Sequence, residues 1–388
     1  MSELFKQVVR AHAPAVDKQE ARHPQPTLWK RYFDDEGVVQ VPERALNVHY
    51  YRRGSEGAAI LCLHGGGYSG LTWSLVARKL SEDNRCQVFA PDLRGHGKTA
   101  SGADEDLAAE TLAEDVAAFW KGLGLSADTP LVVLGHSMGG AIAVRAAHLI
   151  SKGSSALAGV AVVDVVEGTA LAALGSMRGV LAARPAAFAS LEEALDWARS
   201  SHMVTNREAA AVSLPAMLRW QAAPPTPSSL FRTSLDPISE SGSEDDEKDA
   251  APATRPAGAP GAPLPPRPPA RPAAPAAPRP AGVWAWRTPL ADSAPHWAGW
   301  YQGLSDAFLA LPCPKILILA GTDRLDKALT IGQMQGKFQL ALLPQAGHAI
   351  QEDAPTQVAD TVSSFLKRFR VGEGGVAFHS HLEKGNEL

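Results

Sequence analysis

One serine has the sequence setting of a catalytic nucleophile. Ser137 is the centre of Gly-His-Ser-Met-Gly, residues 135–139, which follows a predicted strand at 131–134 and begins a predicted helix at 138–150. A nucleophile on a sharp strand-to-helix turn has a strained backbone, and glycines must flank it because a Cβ would collide with the neighbouring strand and helix. The position of this pattern therefore predicts a serine hydrolase.

A serine hydroxyl is a poor nucleophile at neutral pH and needs a base within hydrogen-bond reach. The chain has twelve histidines, and His348 is the one that follows the last predicted strand and precedes the closing helix. Hydrolases that use this turn place the serine first, the acid second and the histidine last. We therefore predict that His348 is the base.

The oxyanion of an acyl transfer needs backbone N–H donors, which glycine turns can supply. His-Gly-Gly-Gly, residues 64–67, ends a buried apolar strand predicted at 58–63. We predict that the N–H groups of Gly66, Gly67 and Met138 form the oxyanion hole.

The acid has two candidate positions. Asp164 follows the strand predicted at 157–163, whereas Asp323 and Asp326 follow the strand predicted at 315–320. The more common arrangement places the acid after the later strand, three residues past its glycine, where this chain has Arg324. The pattern alone favours neither Asp164 nor Asp323.

Strand and helix patterns alternate from about residue 37, with the additional predicted strands and helices at 38–41, 46–51, 72–80, 86–90 and 111–123. Regular alternation predicts an α/β fold whose central sheet is mostly parallel, with helices on both faces. Residues 165–225 have helical patterns and few strand formers, so we predict a helical cap there. The alternation resumes with a helix at 291–311, strands at 315–320 and 338–343, and a helix at 357–369.

Residues 226–283 differ from the rest of the chain in composition. Their first part is rich in Ser, Asp and Glu, and 12 of the 30 prolines lie between Pro252 and Pro280. Such a segment cannot bury enough apolar area to offset chain ordering, so we predict a disordered insertion within one domain. That domain is predicted to span 37–370, with an N-terminal extension at 1–36 and a C-terminal tail at 371–388.

Composition restricts the class of protein. The net charge of −4 argues against a general affinity for nucleic acid. No apolar run reaches the roughly 20 residues of a membrane span, and residues 1–30 lack a signal-peptide core. Cys62, Cys86 and Cys313 have no metal-ligand spacing and fit buried reduced thiols. We expect a monomer in the cytoplasm, or in the nucleus as well, without cofactor or metal.

Five sequence blocks carry a resemblance to a known family: LHGGGYSGLTW, GHSMGGAIAV, VVDVVEGTA, LAGTDRLDKALTIGQMQGKFQ and LPQAGHAIQEDAP, at 63–73, 135–144, 162–170, 319–339 and 343–355. They resemble the protein phosphatase methylesterase family of α/β hydrolases. The DVVEGTA and GQMQGKF blocks are more specific than the serine pattern, because generic hydrolases do not carry them. The similarity covers roughly residues 37–230 and 284–370.

The resemblance implies an esterase that demethylates the C-terminal leucine of the protein phosphatase 2A catalytic subunit. It implies Ser137 as nucleophile, His348 as base and Asp164 as acid, with Asp323 as the second choice. The competing hypotheses are a general carboxylesterase of the same fold and a phosphatase-binding regulator whose docking matters more than hydrolysis.

A short segment of the insertion also resembles a partner-binding motif. Leu235, Ile238 and Glu240 match the LxxIxE pattern that the B-prime regulatory subunits of protein phosphatase 2A recognise. Acidic residues and serines that follow would add negative charge for a basic groove. We predict these subunits as a second partner.

Overall fold

The computed structural model describes residues 27–153, 156–222, 282–321 and 325–372. By its contacts the chain divides into two units, residues 1–221 with 283–388 and residues 222–282, and the second is described only at its two end residues. The predicted insertion, with Leu235, Ile238 and Glu240, lies outside the described residues except at its end. Gly282 and Val283 belong to a strand there, so the insertion ends earlier than predicted.

The described residues form one large sheet and one small sheet. The strands of the large sheet are β1 (Asp35–Val41), β2 (Leu46–Arg53), β3 (Ala58–Leu63), β4 (Cys86–Pro91), β5 (Ala100–Ser101), β6 (Leu131–His136), β7 (Leu157–Val163), β11 (Lys315–Leu319) and β12 (Gln339–Leu342). The strands of the small sheet are β8 (Ala187–Phe188), β9 (Leu218–Ala222) and β10 (Gly282–Trp286).

Helices cover the large sheet and form the region between β7 and β9. They are α1 (Ser74–Asp83), α2 (Ala109–Gly122), α3 (Met138–Ser151), α4 (Glu167–Ala182), α5 (Leu191–Ser200), α6 (Arg207–Met217), α7 (Trp297–Tyr301), α8 (Leu304–Ala310), α9 (Lys327–Met334), α10 (Ile350–Asp353) and α11 (Pro355–Arg368). Short 3-10 helices span Thr27–Arg31, Pro42–Arg44, Gly70–Trp73 and Ala294–His296.

The large sheet has the order β1-β2-β4-β3-β6-β7-β11-β12, with β5 beside β2. Pairing is antiparallel among β1, β2, β4 and β5 and parallel from β4 through β12. Every residue of β3 and β6 is buried, as expected for strands covered on both faces. The predicted α/β fold with a mostly parallel sheet is confirmed.

The strand register places the turns that follow β3, β6 and β7 at one edge of the sheet. Leu63 at the end of β3 pairs with Gly135 in β6, and His136 pairs with Val163 at the end of β7. Since these strands are parallel and adjacent, the chain leaves all three at the same edge. Residues that follow them can therefore meet there.

The start of the domain differs from the prediction. Tyr32 and Phe33 are 3% and 1% exposed and belong to the core. β1 begins at Asp35, so the folded domain begins before residue 37 and takes in part of the predicted N-terminal extension.

Two further differences lie in the helical regions. The helix predicted at 291–311 is divided into α7 and α8, because Gly303 has φ +73° and ends the helical conformation there. The cap is helical in α4, α5 and α6, where Ser190 caps α5 and Asn206 caps α6, but it also contains the small sheet.

In the part of the chain that the structure describes, no helix combines the length and the hydropathy that crossing a membrane requires.

Candidate active site

Ser137 lies at the junction of β6 and α3, in the strained conformation that the pattern predicts. Its φ is +53° and its ψ is −123°, and the residue is half-buried. A Cβ on Gly65, in the turn after β3, would come within 3.3 Å of the Ser137 Cβ. The glycine turn therefore passes directly beside the serine.

The glycines that flank Ser137 have no room for a side chain. A Cβ on Gly135 would lie 2.2 Å from the carbonyl oxygen of Gly139, and a Cβ on Gly139 would lie 2.3 Å from that of His64. Both obstacles are backbone atoms, which cannot rotate away. The predicted collision is present at both glycines, and it explains why the turn needs them.

We expect Gly135→Ala to lower the free energy of unfolding by about 3 kcal/mol, because the new methyl group overlaps the backbone of α3. Gly175→Ala is the matched control, since Gly175 is exposed in α4 and a Cβ there would meet nothing within 4 Å. Alanine should stabilise that helix by about 1 kcal/mol. Urea unfolding of both variants measures the difference, and equal stabilities would contradict this account of the turn.

The structure brings Ser137, His348 and Asp164 together in a row. The Ser137 Oγ lies 3.1 Å from the His348 Nε2, and the His348 Nδ1 lies 2.9 Å from the Asp164 Oδ2. The carboxylate can only accept, so Nδ1 carries the proton and Nε2 is left to accept the serine proton. The histidine and aspartate side chains are 7% and 0% exposed, which keeps water away from this contact.

Backbone contacts from β11 hold Asp164 in place. Its N–H donates to the carbonyl oxygen of Ile318, and its Oδ1 accepts from the N–H of Ala320 at 3.2 Å. Asp164 also has a positive φ of +53°, which turns the chain sharply at the end of β7. The alternative acid, Asp323, lies outside the described residues.

The predicted oxyanion donors differ in their contacts. Gly66 has no hydrogen-bond acceptor for its N–H among the described residues, and Met138 is the first residue of α3, where no carbonyl of the same helix can accept. A Cβ on Gly66 would lie 3.7 Å from the Met138 Sδ, so the two residues are neighbours.

The prediction for Gly67 is wrong. Its N–H donates to the Nε2 of His96 at 2.9 Å and is not available to a substrate. The reason is that the His96 Nδ1 donates to the carbonyl oxygen of Arg94, which leaves Nε2 as an acceptor for the glycine turn.

A second histidine, His64, supports the same turn. Its Nδ1 donates to the carbonyl oxygen of Gly65, and its Nε2 accepts from the N–H of Leu93. Burial lowers the pKa of His64, and burial with the neighbouring His64 lowers the pKa of His96 to about 3. Both rings are therefore neutral and fixed in one tautomer.

Sequence reasoning did not assign a role to His136, which contacts the predicted base. Its ring lies 4.7 Å from the His348 ring, and its Nε2 donates to the His348 carbonyl oxygen at 2.9 Å. Burial, and then the charge of His348, place the pKa of His136 well below its usual value. Its position beside Ser137 is the signal that could have identified it.

Tyr301 at the end of α7 also reaches the site. Its hydroxyl interacts with Ser137, and burial raises the pKa of Tyr301 to about 12. The tryptophans of residues 282–301 are mostly packed in the interior. Trp286, Trp297 and Trp300 are buried, whereas Trp220 and Trp284 form a half-buried edge-to-face pair.

The arrangement can transfer a proton from a serine hydroxyl to a histidine whose far nitrogen is held by a carboxylate, which is the chemistry of acyl transfer. A model of the alpha/beta hydrolase family matches residues 60–361, and the fold and the site together define a hydrolase of this class.

Protein phosphatase methylesterase 1 of Bos taurus is 41% identical over 90% of this chain and 87% of its own length. The protein of that name from Schizosaccharomyces pombe is 32% identical over 88% of this chain and 84% of its own length. The chain belongs to the protein phosphatase methylesterase family of alpha/beta hydrolases.

Solved structures support the fold. E-2-(acetamidomethylene)succinate hydrolase aligns with a TM-score of 0.58 and 16% identity, over 86% of this chain and 99% of the solved one. The thioesterase domain from the curacin biosynthetic pathway aligns with a TM-score of 0.53 and 17% identity, over 84% of this chain and 98% of that domain.

Proposed function

We propose that this chain is a serine methylesterase that removes the methyl ester from the C-terminal leucine of the protein phosphatase 2A catalytic subunit. The hydrogen-bonded row of Ser137, His348 and Asp164 is the observation that carries the proposal. The name of the Homo sapiens relative, protein phosphatase methylesterase 1, supports a methylated protein phosphatase as substrate. Phosphatase 2A and its C-terminal leucine are what the resemblance of the sequence blocks implies.

Acylation begins when the Ser137 Oγ attacks the ester carbonyl carbon and its proton passes to the His348 Nε2. The Asp164 carboxylate stabilises the imidazolium that forms. The carbonyl oxygen becomes an oxyanion, which accepts hydrogen bonds from the backbone N–H groups of Met138 and Gly66. As the tetrahedral intermediate collapses, the methoxy oxygen takes the proton from His348 and leaves as methanol.

Deacylation repeats the same proton transfers with water. His348 removes a proton from the attacking water, and the second tetrahedral intermediate releases the leucine carboxylate and the Ser137 hydroxyl. Both steps use the side chains and backbone of the chain together with the substrate and water.

Selectivity must come from groups other than the methyl ester, because a methyl group offers little contact area. Tyr301 lies beside the nucleophile, because its hydroxyl interacts with Ser137. The leucine and the tail of the phosphatase would then supply the binding energy, together with docking of the phosphatase itself.

The test compares three methyl esters at matched concentrations: the carboxymethylated phosphatase catalytic subunit, a methylated peptide of its C-terminal tail, and a simple amino-acid methyl ester. We expect methanol release from all three, with a kcat/KM for the whole subunit at least about 10²-fold above that for the simple ester. Equal values would favour a general carboxylesterase. Tight binding of the subunit with its methyl ester intact would favour a phosphatase-binding regulator.

We also propose that the B-prime subunits bind the segment with Leu235, Ile238 and Glu240. Replacing Leu235 and Ile238 with alanine should lower affinity for a B-prime holoenzyme by at least about tenfold, because both apolar anchors are lost. Hydrolysis of the simple ester should not change. Isothermal titration with the wild type as reference measures the affinity, and unchanged binding would reject the motif.

A further inference from the structure

Helix α10, two residues after His348, carries a fully buried carboxyl group that the proposed reaction does not use. Glu352 is 0% exposed. Its Oε2 is hydrogen-bonded to the Ser213 hydroxyl at 2.8 Å, and its Oε1 is hydrogen-bonded to the Thr72 hydroxyl. Ser213 belongs to the cap helix α6 and Thr72 to the 3-10 helix after the glycine turn, so Glu352 joins the cap to the body of the domain.

The next residue makes a second connection between the same parts. The Asp353 Oδ1 accepts from the backbone N–H and the hydroxyl of Thr205, at 2.7 and 2.8 Å, just before α6. Its Oδ2 accepts from the N–H of Gly347 at 3.0 Å, next to His348. The cap is therefore tied to the histidine turn through both carboxyl groups of α10.

Hydrogen bonds continue from Thr72 to the backbone of His348. Gln351 Nε2 donates to the Thr72 Oγ1 at 2.9 Å and to the His136 Nδ1 at 3.3 Å. His136 in turn donates from Nε2 to the His348 carbonyl oxygen. A shift of the cap at Ser213 can therefore reach His348 through side chains that are already in contact.

Glu352 has an environment that favours its neutral form. Its pKa is raised to about 8, chiefly by burial and to a smaller extent by the nearby Asp353, while hydrogen bonds from Thr72 and Ser213 oppose the shift. No cation pairs with Glu352 among the described residues. Tyr68, in the glycine turn after β3, also interacts electrostatically with Glu352.

Two ion pairs join the helices packed against α10, and all four of their side chains are partly exposed. These pairs are Arg78 with Glu208 and Lys79 with Asp360. They leave Glu352 with hydroxyl partners only, so an ionised Glu352 would be an uncompensated buried charge.

We propose that Glu352 is a positioning residue for His348: its neutral form holds the cap helix α6 against the histidine turn, and its ionisation loosens that contact. The inference rests on the proposed esterase function, because a correctly held His348 matters only if His348 activates Ser137. It predicts that the esterase activity falls at alkaline pH, which the hydrogen-bonded row of Ser137, His348 and Asp164 does not itself explain.

The test compares the wild type with Glu352→Gln between pH 6 and pH 10. A glutamine amide can accept from one hydroxyl and donate to the other, but it does not ionise. We expect kcat for a simple methyl ester within about threefold of the wild type at pH 7. Above pH 8 the wild type should lose about tenfold in kcat per pH unit with little change in KM, whereas Glu352→Gln should not. The same alkaline loss in both proteins would overturn the proposal.

Two variants make the result specific. Glu82→Gln removes an exposed carboxyl from α1 and should keep the wild-type profile. Ser213→Ala removes the hydroxyl through which Glu352 contacts α6, so its kcat should already be below that of the wild type at pH 7. Ser213→Ala also serves if Glu352→Gln does not fold, and a wild-type kcat at pH 7 would then reject the proposal.

Two further measurements separate this inference from the proposed function. The rate at which a fluorophosphonate labels Ser137 reports its activation without a methyl ester, and should show the same pH profiles. Thermal unfolding gives the second measurement: a carboxyl pKa raised by folding stabilises the protein at low pH, and this stabilisation is lost as the pH rises toward 8. Wild-type Tm should fall over that range and that of Glu352→Gln should fall less. If no ester is hydrolysed but these profiles appear, only the function fails; if the profiles coincide, the inference fails.

Discussion

Ser137→Ala is expected to reduce methanol release from the carboxymethylated phosphatase by on the order of 10⁵-fold or more, because the acyl-enzyme cannot form without the hydroxyl. Alanine keeps the Cβ of serine at the same positive φ, so the strain of the turn is unchanged and the fold should be retained. Single-turnover methanol release and fluorophosphonate labelling both measure the loss.

Ser200→Ala is the matched control for this variant. Ser200 is exposed in α5, and its hydroxyl bonds only to the carbonyl oxygen of Trp197 in the preceding turn. Its activity should equal that of the wild type. Substantial hydrolysis by folded Ser137→Ala would show that another residue is the nucleophile, and the proposed mechanism would then be wrong.

Asp164→Asn is expected to lower kcat by about 10⁴-fold with a smaller change in KM. The asparagine Oδ1 can still accept from Ala320, which directs its NH₂ group toward His348. An NH₂ donor favours the tautomer with the proton on Nε2, and that tautomer cannot accept the serine proton. The missing negative charge also leaves the imidazolium unstabilised.

Asp323→Asn tests the competing assignment under the same conditions. We expect its kcat to remain within about tenfold of the wild type, since Asp164 already occupies the position beside the His348 Nδ1. A large loss in Asp323→Asn with a small loss in Asp164→Asn would make Asp323 the acid. Stopped-flow measurement of methanol release on both variants decides between them.

The sequence was sufficient for the features that depend on local constraints. The strand-to-helix turn at Ser137 was predictable because its glycines, its preceding apolar strand and its helix are all consecutive. The position of His348 after the last strand followed from chain order. The alternation of strands and helices likewise predicted the sheet, because each buried strand is a continuous apolar run.

Features that depend on distant residues were not predictable in the same way. Asp164 and Asp323 follow neighbouring strands, so spacing could not choose between them; the contact between Asp164 and Ala320 appears only in three dimensions. The N–H of Gly67 is occupied by His96, whose ring comes from another loop. The cap strand β8 has only two residues and pairs with β10 far along the chain, so no local pattern predicts it.

The glycine turn has one more property, which concerns acidification. Each ring of the pair His64 and His96 accepts a backbone N–H at Nε2, and a proton there would turn an attraction into a repulsion. With the pKa of His96 near 3, such a failure lies well below neutral pH. In the proposed reaction His348 gains and loses a proton in every catalytic cycle, whereas His64 and His96 stay neutral and support the glycine turn, because burial disfavours their charged forms.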